Sequence, residues 1–478
     1  MSKPMFVIAI LSSAGAIAIA SPALAQPPSP QSPSSPPPIV AGAQPAPPPE
    51  APDGQGSVAQ SGAEQEPRRF RFGGEVKLGV RSSRNVRSKV DASFPPEFLA
   101  PGETAVYLRT VSPGASVEIQ NVALVGEGDL APGIAAKVRI HFLDLYNRNP
   151  TSSDDRVFVR EAWLRFGRQP EPLEDVSGSS IYALVGMAPR FTKPTVRRLE
   201  SYGLWTTAVG RFENPQAQAG GGIGRHVYWR ASAGNGNPLF MRDPNVLAGD
   251  NGTPERVPGN VHPIYESGFP ILYDAKAQDL NPRGKFEYGL GGGYRVASEA
   301  WALDLLGWYF HRDLLDAARL RGTYYSGDLE ILTGAGFVLP VGETEKMERG
   351  VNVEARAGGL RVWGQYVDQE IAGLPRRGFE VETAYRIPLD GWFLAGETVV
   401  GRWIQPVLRV SYIDNRFEAP HGTPAPSFDW DWKKVDVGVR VGLTANIDVT
   451  FEYNYNSTIT EYRTVKPNEM LTTVRFGF

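Results

Sequence analysis

The sequence predicts an all-β fold, a transmembrane antiparallel β-barrel of about 16 strands with long extracellular loops and one loop folded into the lumen. Three observations carry that expectation. The last segment places Met470, Val474, Phe476 and Phe478 on one face of an extended strand and Thr473, Arg475 and Gly477 on the other, so one side suits lipid and the other water. The chain opens with the layout of a secretory signal peptide: Lys3, an apolar stretch from Phe6 to Ala20, and the small-x-small triplet Ala23, Leu24, Ala25. Between these ends no segment has the roughly 18 consecutive apolar residues of a membrane helix, so embedding would have to come from strands that close on themselves.

In chain order, residues 1–25 read as the signal peptide. Residues 26–66 hold 12 prolines among Ser, Gln, Ala and Gly, with almost nothing large and apolar. Such a composition cannot bury a core and reads as a disordered periplasmic linker. Residues 67–478 read as a single barrel domain, because no second shift of composition follows. The chain has no cysteine, which excludes disulfides and thiolate metal sites and is compatible with export.

From Arg68 onward, short segments of period two alternate with Gly, Pro, Asn and Asp. Ala136–Phe142 alternates apolar residues with Lys137, Arg139 and His141, and Phe158–Phe166 with Glu161 and Arg165. Val351–Ala357 carries Glu354 and Arg356, Phe379–Ile387 carries Glu380, Glu382 and Arg386, and Pro406–Tyr412 carries Arg409 and Ser411. Val435 to Leu443 and Ile447 to Tyr455 form a hairpin about Thr444–Asn446, with Asp436, Arg440, Asp448 and Glu452 on the polar face. The aromatic residues Trp301, Trp308, Tyr309, Trp392, Trp403, Tyr453, Tyr455 and Tyr462 lie near strand ends, as interfacial girdles would. The Pro-, Gly- and Asn-rich stretch Asn235–Arg283 reads as one long excursion, with smaller ones at Ser83–Gly102, Pro113–Ala115 and Pro420–Ser427.

Enzyme constellations have no support. The five histidines are isolated and no Gly-x-Ser-x-Gly elbow occurs. The glycine clusters at 220–224 and 289–293 lack the Lys-Ser/Thr of a phosphate loop, and read instead as close backbone approach within strands. No catalysis, cofactor, metal or nucleic-acid partner is expected.

From residue 67 the chain carries 48 Lys+Arg and 48 Asp+Glu, so any ion preference has to come from local arrangement. One segment is unbalanced: Ala188–Arg225 contains Arg190, Lys193, Arg197, Arg198, Arg211 and Arg225 against Glu200 and Glu213. Pro189, Pro194 and Pro215 argue against continuous strand there, and the segment is the candidate for the inward loop. An ordinary extracellular loop meeting lipopolysaccharide phosphates is the other reading. Alternation points Arg139, Arg165, Arg356, Arg386, Arg409, Arg440 and Arg475 into the lumen, either lining the pore or bracing its wall through salt bridges.

Three passages resemble the phosphate-selective porin O/P family: Ala183–Pro194 (ALVGMAPRFTKP), Arg198–Tyr202 (RLESY) and Tyr228–Pro238 (YWRASAGNGNP). Val117–Gly128 is similar to that family's early strand pair, but Gln120 and Asn121 stand where an Arg-rich version is usual, a departure that counts against anion preference. The resemblance implies a 16-stranded homotrimeric channel in the outer membrane of a Gram-negative bacterium, in contact with lipid and lipopolysaccharide, that takes anions such as phosphate. The reading from the residues themselves is broader. A barrel of this size leaves an aqueous passage for small hydrophilic solutes; a carbohydrate or general diffusion channel, and a plugged barrel anchoring a periplasmic tether, stay open.

Overall fold

The structure, a computed structural model, describes residues 70–84, 87–89, 107–109, 114–144, 157–170, 180–194, 198–205 except Tyr202, 213–236, 286–313, 345–389 except Ala372, 393–395, 398–417, 431–459 and 464–478, with a few isolated positions besides. The proposed signal peptide and linker lie outside the described residues.

Sixteen strands close into one antiparallel barrel. In chain order they are β1 (Arg71–Ser83), β2 (Gly114–Ala131), β3 (Ile134–Asp144), β4 (Phe158–Gly167), β5 (Ser180–Pro189), β6 (Glu213–Ile223), β7 (Val227–Gly234) and β8 (Glu287–Ala297). The second half comprises β9 (Trp301–Asp313), β10 (Glu345–Ala357), β11 (Leu360–Ile371), β12 (Leu374–Tyr385), β13 (Trp403–Asn415), β14 (Asp431–Gly442), β15 (Ile447–Ile459) and β16 (Glu469–Gly477). Every strand pairs with its sequence neighbours, and β1 pairs with both β2 and β16. At the seam Leu78 faces Val474, and Phe478 exchanges backbone hydrogen bonds with Gly74, its ring lying over the glycine. Among the described residues, closure leaves the barrel wall without a free strand edge.

The two-residue period dictates which side chains go where. On β14 the inward positions are Trp432, Lys434, Asp436, Gly438, Arg440 and Gly442, and Val435, Val437, Val439 and Val441 face out. On β15 Asp448, Thr450, Glu452 and Asn454 point inward while Phe451, Tyr453 and Tyr455 are exposed outside. The barrel is therefore inside out relative to a water-soluble one: charged residues are buried, and Leu, Val and aromatic side chains are exposed.

Several expectations are corrected in detail. Trp308 and Trp403 do not join an outer girdle; both face inward and are buried, Trp308 donating to Asn352. Pro215 does not interrupt a strand: it sits near the start of β6 opposite Met187, facing outward, and its carbonyl accepts from Asn235. The basic segment is accordingly shorter than 188–225, because β5 runs to Pro189 and β6 begins at Glu213. Pro113–Ala115 is not a separate loop, since β2 starts at Gly114. The expected excursions Asn235–Arg283 and Pro420–Ser427 fall almost wholly outside the described residues, but β7 and β8 pair directly, so the first is one connection at one barrel end. Residues 132–133, 224–226, 298–300, 358–359 and 443–446 make short turns at the opposite end.

An outer wall of this kind is stable only against hydrocarbon. Val437→Arg, in the middle of β14, is expected to lower barrel stability in lipid vesicles by about 2–4 kcal/mol, read from denaturant unfolding. A neutral result would place that wall away from the hydrocarbon.

Candidate functional site

The connection after β5 does not stay at the rim. The described residues of this connection, 190–194, 198–201 and 203–205, lie in the lumen and are docked on its wall largely by charge. Arg190, 3% exposed, reaches Glu348 at 2.8 Å and Glu287 at 3.2 Å, with its guanidinium 3.6 Å over the Phe310 ring. Burial works against its charge, yet the two carboxylates outweigh it and raise its pKa above the ordinary arginine value. Lys346 completes this group at 2.8 Å from Glu287. The Thr192 carbonyl accepts from Asn352 and Gln365 on β10 and β11.

Further along, Arg198 pairs with Glu382 at 2.9 Å, and Glu200 with Lys77 of β1 at 2.9 Å. The Glu452 carboxylate takes the amides of both Glu200 and Ser201, each at 2.8 Å, an arrangement that anchors the backbone itself. Arg409 donates to the Ser201 carbonyl and hydroxyl and pairs with Asp436. Trp205 is fully buried; its amide donates to Glu380, its indole N–H to the Tyr412 carbonyl, and its ring occupies the space that a Cβ at Gly378 would need.

The remaining candidates divide by exposure. Arg440 is buried in a two-pronged pair with Asp448, which also takes Arg475. Lys193 pairs with Glu213 and keeps 29% of its side chain exposed. Arg139 is 30% exposed, with Glu161 at 3.9 Å. Arg165 lies 5.8 Å from the Trp163 ring, Arg386 stacks 4.4 Å over Trp403, and Arg356 touches the Ser298 carbonyl; all three are part-exposed. Arg197 and Arg211 lie outside the described residues.

One participant was not singled out from sequence. Arg361 faces Arg356 across the β10–β11 pair and, among the described residues, donates to the carbonyls of Gly358 and Leu360. The signal was available, since Arg361 alternates with Leu360 and Val362. Like charges directly opposite repel, so this pair is a local concentration of positive potential. On the outer wall, away from the lumen, His311, Asp313 and Glu345 bring one potential ligand atom each within 4.8 Å of one another, a cluster that histidine spacing in the sequence could not reveal because it spans two strands.

Many of the carboxylates are buried as well. Glu161, Glu213, Glu287, Glu348, Glu382 and Asp436 all have side chains at most 7% exposed. Among the described inward positions, Glu75, Glu127 and Glu354 keep appreciable exposure. Bases such as Arg81, Lys346, Arg409, Lys434 and Arg440 are buried alongside these acids, so what distinguishes the lumen is the group of part-exposed cations at its short-turn end.

No family profile matches the chain, and no curated protein matches it. Solved structures similar to it include the outer-membrane channel DcaP of Acinetobacter baumannii (10% identity, 86% of this chain and 98% of that one, TM-score 0.48). OprB of Pseudomonas putida is similar over 86% and 94% of the two chains, with 10% identity and a TM-score of 0.45. A trimer form of the outer-membrane protein OmpT of Vibrio cholerae is similar over 86% and 100%, with 11% identity and a TM-score of 0.41.

The docking of the loop is directly testable. Glu452→Ala removes the acceptor of two amides and a counter-charge of the Arg409 cluster, and is expected to cost about 3–5 kcal/mol of stability. It should also open a proteolytic site within residues 190–205; a loop as protease-resistant as the parent's would show that Glu452 does not hold it.

Proposed function

We propose that the chain forms a passive, water-filled channel through the outer membrane of a Gram-negative bacterium, admitting small hydrophilic solutes with a preference for anions. The observation that carries this reading is a cluster of cations. Lys137, Arg139, Arg165, Arg356, Arg361 and Arg386 keep water-accessible cationic groups on the short-turn side of the inward loop, whose docking covers Glu287, Glu348 and Glu382. In a passage narrower than twice the screening length of about 8 Å, such groups set the sign of the field.

Support for the location comes from the apolar outer wall, the closed barrel and the signal-peptide layout. The charged outer pairs Arg349–Asp368 and Arg377–Asp414, at the long-loop end, suit lipopolysaccharide headgroups. Phosphate as the favoured anion, and a homotrimeric assembly, rest on the sequence resemblance to phosphate-selective porins. No catalysis is ascribed to the protein. A carbohydrate passage is the second reading, favoured by the inward Trp163, Trp363 and Trp403; the Trp363 indole N–H is buried with no hydrogen-bond partner among the described residues.

In a planar bilayer across a KCl gradient, the reconstituted protein is expected to give an anion-selective reversal potential, reduced by at least a factor of about two in permeability ratio when Arg356, Arg361 and Arg386 are changed together to Gln. Phosphate is expected to block the current. An unchanged ratio would remove these arginines from the ion path, and a closed bilayer would leave the plugged anchor.

A further inference from the structure

Where β9 ends and β10 begins, at the long-loop end of the barrel, an imidazole and two carboxylates meet on the outer face. Strand geometry places them there. His311 and Asp313 are two residues apart on β9 and so point the same way, and the register sets Asp313 directly opposite Glu345 of β10. The His311 Nε2 lies 3.2 Å from Asp313 Oδ1, and one donor atom from each of the three residues falls within 4.8 Å of the others. The His311 ring runs parallel to within 10° of the Tyr309 ring, 6.5 Å between centroids, a neighbour on the same face that steadies its plane.

Two observations point to an ion in this arrangement. Carboxylates directly opposite each other on one face of an antiparallel pair repel, and Asp313 and Glu345 stand in that relation. A cation between them turns the repulsion into attraction. The second observation is the spacing of the donors. Bonds of about 2.0–2.1 Å in a tetrahedral site put neighbouring ligand atoms about 3.3 Å apart, and His311 and Asp313 already stand at 3.2 Å. Glu345 is exposed, so its side chain can rotate to bring the third donor in. The place suits a hydrated ion as well. Glu345 lies four positions further toward the long-loop end than the exposed Arg349–Asp368 pair, about 13 Å along the strand and away from the apolar wall.

We propose that His311, Asp313 and Glu345 bind one divalent transition-metal ion of the zinc class, which clips the end of β9 to the start of β10 and keeps at least one coordination position for water. Donor chemistry sets the class. An imidazole with two carboxylates suits zinc and its neighbours, whereas calcium and magnesium take shells of oxygen. The inference needs no ion flow and stands apart from the channel reading, because its readout is binding.

The test uses the full barrel in detergent, stripped of metal with a chelator. Zinc is expected to bind at one equivalent per chain by calorimetry and to raise the thermal midpoint along a saturable curve, with excess calcium or magnesium leaving that binding unchanged. His311→Ala and Glu345→Gln should each weaken zinc binding at least about tenfold. Crystals of the unaltered protein soaked in zinc provide a readout that does not depend on either variant folding: an anomalous peak between His311, Asp313 and Glu345 is expected. No such peak, no zinc increment, equal displacement by calcium, or full zinc affinity in either variant would each overturn the proposal.

Discussion

The interior of this barrel depends on one match of charge, between the cations and amides of residues 190–205 and the carboxylates of the β8–β15 wall. Take the loop away and Glu287, Glu348, Glu382 and Glu452 would face a wide aqueous lumen. With the loop in place those acids are hidden. The same contacts that hold the loop therefore decide what kind of solute meets the wall. Position and electrostatics are one feature, because Arg190 and Arg198 are spent on acids while Arg356 and Arg361 are not.

Ion pairs this deeply buried contribute less net stability than their short distances suggest, since each group is first stripped of water. Their value lies in specificity. An apolar loop could fill the lumen in many poses, whereas Glu452 accepting two successive amides fixes one register. Arg409 extends that register by joining Ser201, Glu382 and Asp436 in a single group. Trp205 adds a large apolar contact beside those of Phe191 with Phe310 and Leu199 with Ala384 and Val407, and it can seat itself because Gly378 offers no side chain.

The wall was legible in the sequence and the loop's contacts were not. Alternation along β12, β13, β14 and β15 gave the inward residues correctly because a strand has only two faces, and burying one determines the other. The same rule, applied strictly, would have rejected Trp308 as an outer residue, since its neighbour Tyr309 already faces out. What alternation cannot supply is pairing between distant positions. Whether an arginine is spent or accessible depends on contacts 158 residues away for Arg190 and 184 for Arg198, and no local pattern records them.

That separation along the chain has a consequence for how the molecule is made. The loop leaves the wall after β5, yet its seats lie on β8 through β15, so its last anchors join residues about 250 positions apart. Contacts of such range form late, once the chain between them is ordered. The wall must therefore be largely laid down, and its acids exposed to water, before the loop can settle. An unfinished barrel is consequently a wider one, with Glu287, Glu348, Glu382 and Glu452 open to water until the strands that seat the loop are in place. The narrowing of the lumen is a late step for this chain.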